Sequence, residues 1–292
     1  MSSGFLSYDA LFWSGGDDGC VRCELCPHRC CIDEGFAGVC GVRENRGGAL
    51  VASGYGLVSS IALDPIEKKP LYLFHPGKHV LSVGGFGCNL RCPFCQNHEI
   101  SMFRDIGSID SFYSPDDIVR LAGQTIIKGN IGLAYTYNEP LIGYEFLCDC
   151  ARLVHDEGLY NVIVTNGCIN REPLEALLPF IDAMNIDLKG FTKGFYDRVG
   201  GSLEAVLETI ESSCRSCHVE ITTLVLPGEN EDDIEEISKW LAAIDTNIPL
   251  HLSRFFPRYR YADREPTSRE TVVRLCDIAK KHLKNVFAGN MG

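Results

Sequence analysis

His79-Val80-Leu81-Ser82-Val83-Gly84-Gly85-Phe86-Gly87-Cys88-Asn89-Leu90-Arg91-Cys92-Pro93-Phe94-Cys95 runs from a short β-branched stretch through a glycine-rich turn into three closely spaced cysteines. The spacing C-x3-C-x2-C puts three thiolates on one loop directly after a strand, and such a loop can wrap a cubane. A [4Fe–4S] cluster is normally held by four thiolates, so Cys88, Cys92 and Cys95 would leave one iron free for another ligand. An open coordination position marks a catalytic metal site rather than a structural one. The glycines before Cys88 let backbone approach the cluster and offer N–H donors to its sulfurs, and Phe94 would shield one side from water. Core packing or half of a zinc site explains the triplet less well, because no nearby fourth ligand completes a tetrahedron. A zinc deaminase is also excluded in pattern, since its Pro-Cys-x-x-Cys follows an upstream His-x-Glu, whereas here Pro93 follows Cys92.

Outward from this stretch, short β-branched runs alternate with amphipathic segments of helical period, the form of repeated βα units on a parallel sheet. Strands are expected at His79–Val83, Ile131–Thr136, Tyr160–Thr165, Met184–Leu188, His218–Leu226 and Pro249–Phe255. Ser114-Pro115-Asp116-Asp117 supplies an N-cap, a proline at the first helical position and acidic residues facing the dipole. Further helices should begin at Pro140, Ser202, near Asn230 and at Thr267 or Ser268. Residues 1–75, with short apolar runs and frequent glycine, read as a small Cys-rich segment, and 76–292 as one larger core domain.

The 292 residues carry 27 Lys and Arg against 39 Asp and Glu, a net charge of −12, which leaves no cationic excess to displace counterions along a nucleic acid backbone. The start of the chain has neither a basic stretch nor a sustained apolar one, and no later window is apolar enough to span a membrane. A soluble, cytoplasmic protein is therefore expected. Fifteen cysteines in such a setting point to metal binding or redox chemistry instead of disulfides, because the cytosol keeps thiols reduced.

Cys88-Asn89-Leu90-Arg91-Cys92-Pro93-Phe94-Cys95-Gln96-Asn97 closely resembles the signature of the radical S-adenosylmethionine (SAM) superfamily, and the strand count resembles the pyruvate formate-lyase activating enzyme. The resemblance covers about 78–292 and implies an α/β fold, a partial (β/α)6 TIM-like barrel. It also implies a [4Fe–4S] cluster on Cys88, Cys92 and Cys95, SAM on the free iron, and an electron donor such as a flavodoxin or ferredoxin. Reductive cleavage to a 5′-deoxyadenosyl radical would then allow hydrogen abstraction, with a protein substrate in the activating enzymes. In a parallel barrel the functional groups gather at the C-terminal ends of the strands. Tyr137-Asn138-Glu139-Pro140, after the second strand, looks like the family's G-G-E-P turn and assigns Asn138 and Glu139 to SAM. Thr165-Asn166-Gly167, after the third, is similar to its T-N-G element, although Val164 stands where relatives often have Asp. Asp187-Leu188-Lys189 matches the activating enzymes' D-x-K, with Lys189 expected near SAM; a plain ion pair is the alternative. Thr222 falls where some relatives carry Arg, and His251 on the sixth strand is a further SAM candidate or else an ordinary core histidine.

Cys23, Cys26, Cys30 and Cys40, with Leu25, Pro27, Gly35, Gly38, Arg43, Asn45 and Gly48, resemble the N-terminal element of the radical SAM protein of the AmmeMemoRadiSam system. That likeness implies action on a small molecule as a second enzymatic reading; an iron–sulfur redox sensor or scaffold without catalysis is a third. Four thiolates there could hold a structural zinc that staples a segment too small for its own core, or a second iron–sulfur cluster, or stay free; Cys31 could replace Cys30. Cys214-Arg215-Ser216-Cys217-His218 satisfies the c-type haem pattern, but its place between a helix and a strand of a cytosolic barrel argues against haem. Cys148 and Cys150, two apart on a helix, cannot face one ligand together.

Overall fold

The computed structural model describes residues 8–16 and 19–292. The N-terminal segment is built from very short strands. β1 (Trp13–Gly15), β2 (Val21–Cys23) and β3 (Cys31–Ile32) form an antiparallel sheet, and β4 (Glu44–Arg46) and β5 (Ala49–Val51) form a hairpin. Strands this short bury little on their own, and the segment is stable by attachment. Val21, Leu25, Ile32 and Leu50 belong to the same apolar cluster as Leu133, Ile163 and Ile186 farther along the chain. A buried ion pair fixes the docking. Arg43 Nη1 donates to both oxygens of Glu145 at 2.9 and 3.0 Å, and the Leu11 N–H donates to Glu145 Oε1 at 2.7 Å.

The expectation of reduced thiols fails at one place. Cys20 and Cys31 form a disulfide with Cα atoms 6.0 Å apart, because β2 and β3 pair with Val21 opposite Ile32 and Arg22 opposite Cys31, which brings Cys20, just ahead of β2, within reach. Cys31 is thereby removed as an alternative ligand to Cys30.

The main sheet has eight strands, β6 (Ser60–Pro65), β7 (His79–Gly84), β8 (Asn130–Tyr135), β9 (Tyr160–Thr165), β10 (Ala183–Asp187), β11 (His218–Val225), β12 (Leu250–Arg254) and β13 (Val286–Gly289). They lie side by side in chain order, parallel from β7 to β13, with β6 antiparallel at one edge. β6 and β13 are not neighbours, so the barrel is incomplete. The six expected strands are present with ends shifted by a residue or so. The two edge strands were not expected. β6 is partly exposed and ends in Pro65, as an edge strand can, and β13 has four residues with no buried face.

Helices follow their caps. α1 (His98–Ser101) is one turn after the cysteine loop. α2 (Pro115–Gln124) starts in a capping box, with the Asp117 N–H donating to Ser114 Oγ and the Ser114 N–H to the Asp117 carboxylate. The helix expected from Pro140 is a 3-10 turn to Gly143 followed by α3 (Tyr144–Asp156). α4 (Arg171–Leu177) and α5 (Lys193–Val199) precede α6 (Leu203–Ser213), whose cap is Ser202. α7 (Asp233–Ile244) and α8 (Arg269–Ala279) complete the series, the last capped by Ser268. Among the described residues no helix is long and apolar enough to cross a membrane.

The chain between β6 and β7 closes one end of the barrel. Ser60 lies opposite Gly84 and Pro65 opposite His79, so β6 delivers Ile66 to the N-terminal end of the parallel strands. From there the chain crosses under the sheet. Asn185 Nδ2 donates to the Pro70 carbonyl at 2.8 Å, and the Tyr72 and Leu73 N–H groups donate to the Glu220 carboxylate at 3.0 and 2.8 Å.

Candidate active site

The loop after β7 is held from outside by one side chain. Asn138 Oδ1 accepts from the Gly85 N–H at 2.9 Å, while its Nδ2 donates to the carbonyls of Phe86 and Gly87 at 3.0 and 3.1 Å. Gly87 has φ +81°, and a Cβ there would meet the Cys40 carbonyl at 2.4 Å, so only glycine allows this approach to the N-terminal segment. Cys88, Cys92 and Cys95 follow and face a cavity of about 330 Å³. The Leu90 N–H lies 3.3 Å from Cys88 Sγ, and Asn166 Nδ2 approaches the same sulfur at 3.6 Å.

The ends of β8, β9 and β10 complete the cavity. Glu139 is 2% exposed, and its carboxylate accepts from Thr165 Oγ1 at 2.6 Å, the Asn166 N–H at 2.7 Å and the Leu141 N–H at 3.0 Å. Burial pushes its carboxyl up to about 7, with these three hydrogen bonds opposing. Asn166 Nδ2 donates to Asn89 Oδ1 at 2.9 Å, tying the β9 loop to the cysteine loop. Lys189 Nζ donates to Asp187 Oδ2 at 2.8 Å. Burial works against its charge, yet the neighbouring Asp187 and the Cys92 sulfur outweigh it and raise the ammonium's pKa.

Burial also pushes the Cys92 thiol up to about 11 and the Cys88 thiol well above its ordinary value, the latter reinforced by the nearby Glu139. Thiols in such surroundings stay protonated until a metal displaces the proton, so the loop is suited to a cationic occupant. Among the described residues no group of three or more His, Cys, Asp or Glu is arranged for a single metal ion. Cys88, Cys92 and Cys95 line one cavity, and three thiols on a single loop are a donor set that suits an iron–sulfur cluster.

Asn138, Glu139, Thr165, Asn166, Asp187 and Lys189 all line this cavity with the three cysteines. His251 does not. It lies in the lower half of β12, its Nε2 2.6 Å from Glu220 Oε2 and its ring stacked on Phe287, whereas Ser253, two residues nearer the C-terminal end on the same face, lines the cavity. Thr222 is also a lining residue, its hydroxyl donating to Asn185 Oδ1 at 2.9 Å. Lys69 is a lining residue that strand-end reasoning misses, because it reaches the cavity from the other end of the barrel.

Cys23, Cys26, Cys30 and Cys40 line a second, much smaller cavity with His28. Burial pushes Cys26 up to about 12 and raises Cys40. His28 Nε2 lies 2.7 Å from the Asn89 carbonyl, so this group abuts the cysteine loop directly.

The sequence model of the radical SAM superfamily matches residues 82–241, more than half of the chain, and spans the cysteine loop and the ends of β7 to β11. This chain belongs to the radical SAM superfamily. Proteins of that superfamily use a [4Fe–4S] cluster and SAM, and this radical SAM protein is an enzyme of that type. It is 42% identical over 290 residues to an uncharacterized protein of Methanocaldococcus jannaschii, covering 97% of this chain and 85% of the relative. It is 23% identical over 249 residues to the indoleacetate decarboxylase activating enzyme of Tractidigestivibacter scatoligenes, covering 78% of this chain and 75% of that one. Among solved structures, Streptococcus suis SuiB bound to S-adenosylmethionine matches with a TM-score of 0.53 at 15% identity, over 70% of this chain and 48% of SuiB. That likeness supports the fold, a radical SAM partial TIM barrel.

Proposed function

We propose that Cys88, Cys92 and Cys95 hold the [4Fe–4S] cluster of this radical SAM protein, and that it reductively cleaves SAM to a 5′-deoxyadenosyl radical for hydrogen abstraction. The observation that carries the reading is the meeting of the cysteine loop with Glu139, Asn166 and Lys189 in one buried cavity. A redox sensor needs the loop and has no use for the rest. When bound, the cluster would supply one electron and SAM the radical precursor. The chain's own residues do the positioning. Asn138 sets the glycine turn, and Glu139 holds Thr165 and the Asn166 backbone. The Asn166 amide lies against Cys88, and the Lys189–Asp187 pair offers opposite charges to the zwitterionic end of SAM.

A glycyl residue of a partner protein, as the names of two Methanocaldococcus jannaschii relatives, putative glycyl-radical enzyme activating enzymes, suggest, is one substrate class. A small molecule is the second, favoured by the closure of the barrel between β6 and β7. An electron donor such as a flavodoxin or ferredoxin would serve either, in the cytoplasm. We further read Cys23, Cys26, Cys30 and Cys40 as a second metal site, zinc or another iron–sulfur cluster, in the Cys-rich segment, which ends ahead of β6 and not at residue 75 because β6 already belongs to the main sheet. The test is anaerobic assay for 5′-deoxyadenosine with SAM and dithionite, on the parent and on Cys92→Ala. Product from the parent alone supports the enzyme. No product from either supports the sensor.

A further inference from the structure

Lys69 is 3% exposed, yet it lines the same cavity as Cys88 and Lys189. Its Nζ donates to Asp64 Oδ2 at 2.9 Å and lies 4.6 Å from the centre of the Tyr137 ring. An ammonium has three donors. Asp64 takes one and the ring face can take another, and among the described residues no other acceptor lies within hydrogen-bond distance. Asp64 is itself shared, because Tyr137 donates to it at 2.7 Å and Lys68, also on the cavity, at 3.2 Å. Lys68 is largely exposed and solvated, but Lys69 is buried, and a buried N–H without an acceptor is costly. An oxygen acceptor inside the cavity removes that deficit at Lys69.

Topology says what that acceptor belongs to. β6 runs against β7, so Lys68 and Lys69 stand at the N-terminal end of the barrel, opposite the cysteine loop at the C-terminal mouth. Glu139, Asn166, Asp187 and Lys189 lie at the mouth, and Lys69 is the cation at the floor. The two ends belong to one continuous cavity, about 330 Å³ in all with the cysteine loop included, and the chain from Ile66 to Leu73 runs beneath it.

We infer that the molecule attacked by the radical is a small organic oxyanion, a carboxylate or a phosphate ester, whose charged group pairs with Lys69 at the floor of the barrel. This rests on the proposed radical chemistry and specifies its substrate class. The full-length protein, reconstituted with its cluster and supplied with SAM and dithionite, is given a deuterated extract of cells that naturally carry it. The extract is divided into macromolecules, small molecules retained on an anion exchanger and small molecules that pass through. Deuterium should enter 5′-deoxyadenosine from the retained small molecules alone. Treating that fraction with a phosphatase before the assay separates a phosphate ester from a carboxylate. Lys69→Met should raise the half-saturating amount of the fraction about tenfold or more, and Lys69→Arg should recover most of it. Because Lys69→Met strands Asp64, the pair Asp64→Asn with Lys69→Met is run beside it and should show the same loss. Deuterium from macromolecules, from the unretained fraction or from no fraction overturns the inference, as does a Lys69→Met titration that matches the parent. Absence of 5′-deoxyadenosine from every sample instead removes the radical chemistry beneath it.

Discussion

The backbone N–H of Asn166 donates to the carboxylate of Glu139 at 2.7 Å, and this bond joins the loop after β8 to the loop after β9. Glu139 is therefore a positioning group in this structure, with both oxygens engaged by the protein. Its buried carboxyl sits at about 7 against an ordinary 4.5. A raised acid contributes stability that is complete below the unfolded value and is lost as pH rises through the folded one. Without bound cofactors, urea unfolding should show stability falling between pH 4.5 and 7 by on the order of 3 kcal/mol. Glu139→Gln should flatten that slope. An equal slope in both proteins refutes the assignment.

Asn138→Ala removes the acceptor for Gly85 and the donor for Phe86 and Gly87. The expected loss of stability is about 1–3 kcal/mol. Its location is more telling than its size. Amide exchange at Gly85 should accelerate well beyond the change at β9, and reconstituted protein should lose iron faster to a chelator. Uniform acceleration along the chain would show a general defect instead.

Arg43→Met leaves Glu145 buried without a cation, which typically costs about 3–5 kcal/mol. Arg43→Met combined with Glu145→Leu should recover most of this, because two well-packed apolar groups replace a paired charge. Denaturant midpoints of the parent, single and double variants measure it. A double variant no better than the single would mean that the pair does more than neutralise charge.

Several elements were legible because their signals are local. The cysteine spacing, the turns after β8 and β9 and the serine caps of α2, α6 and α8 each lie within a few residues of what they determine. His251 shows where such reasoning stops. Alternation along a strand tells that His251 and Ser253 share a face, but not that only the residue nearer the C-terminal end reaches the cavity. Lys69 and the Cys20–Cys31 disulfide depend on pairings of β6 with β7 and of β2 with β3, which no local pattern announces.

Glu220 supplies an acid-side test. Burial opposes its charge, but His218 and His251 and the backbone N–H groups of Leu73 and Tyr72 hold it at about 2. A depressed carboxylate contributes stability above its unfolded value, lost as pH falls through the folded one. Between pH 4.5 and 2 the parent should lose on the order of 3 kcal/mol through this group. Glu220→Gln should be less stable at neutral pH and lack that acid limb, as thermal melts at each pH would reveal.

The strap from Ile66 to Leu73 runs across the N-terminal end of the barrel, on the far side from the cysteine loop. A molecule that enters past the cysteine loop and settles on the strap comes in before the one nearer the threshold, and departs after it. Steady-state kinetics should accordingly obey a compulsory sequence, with SAM second to enter and its fragments first to go.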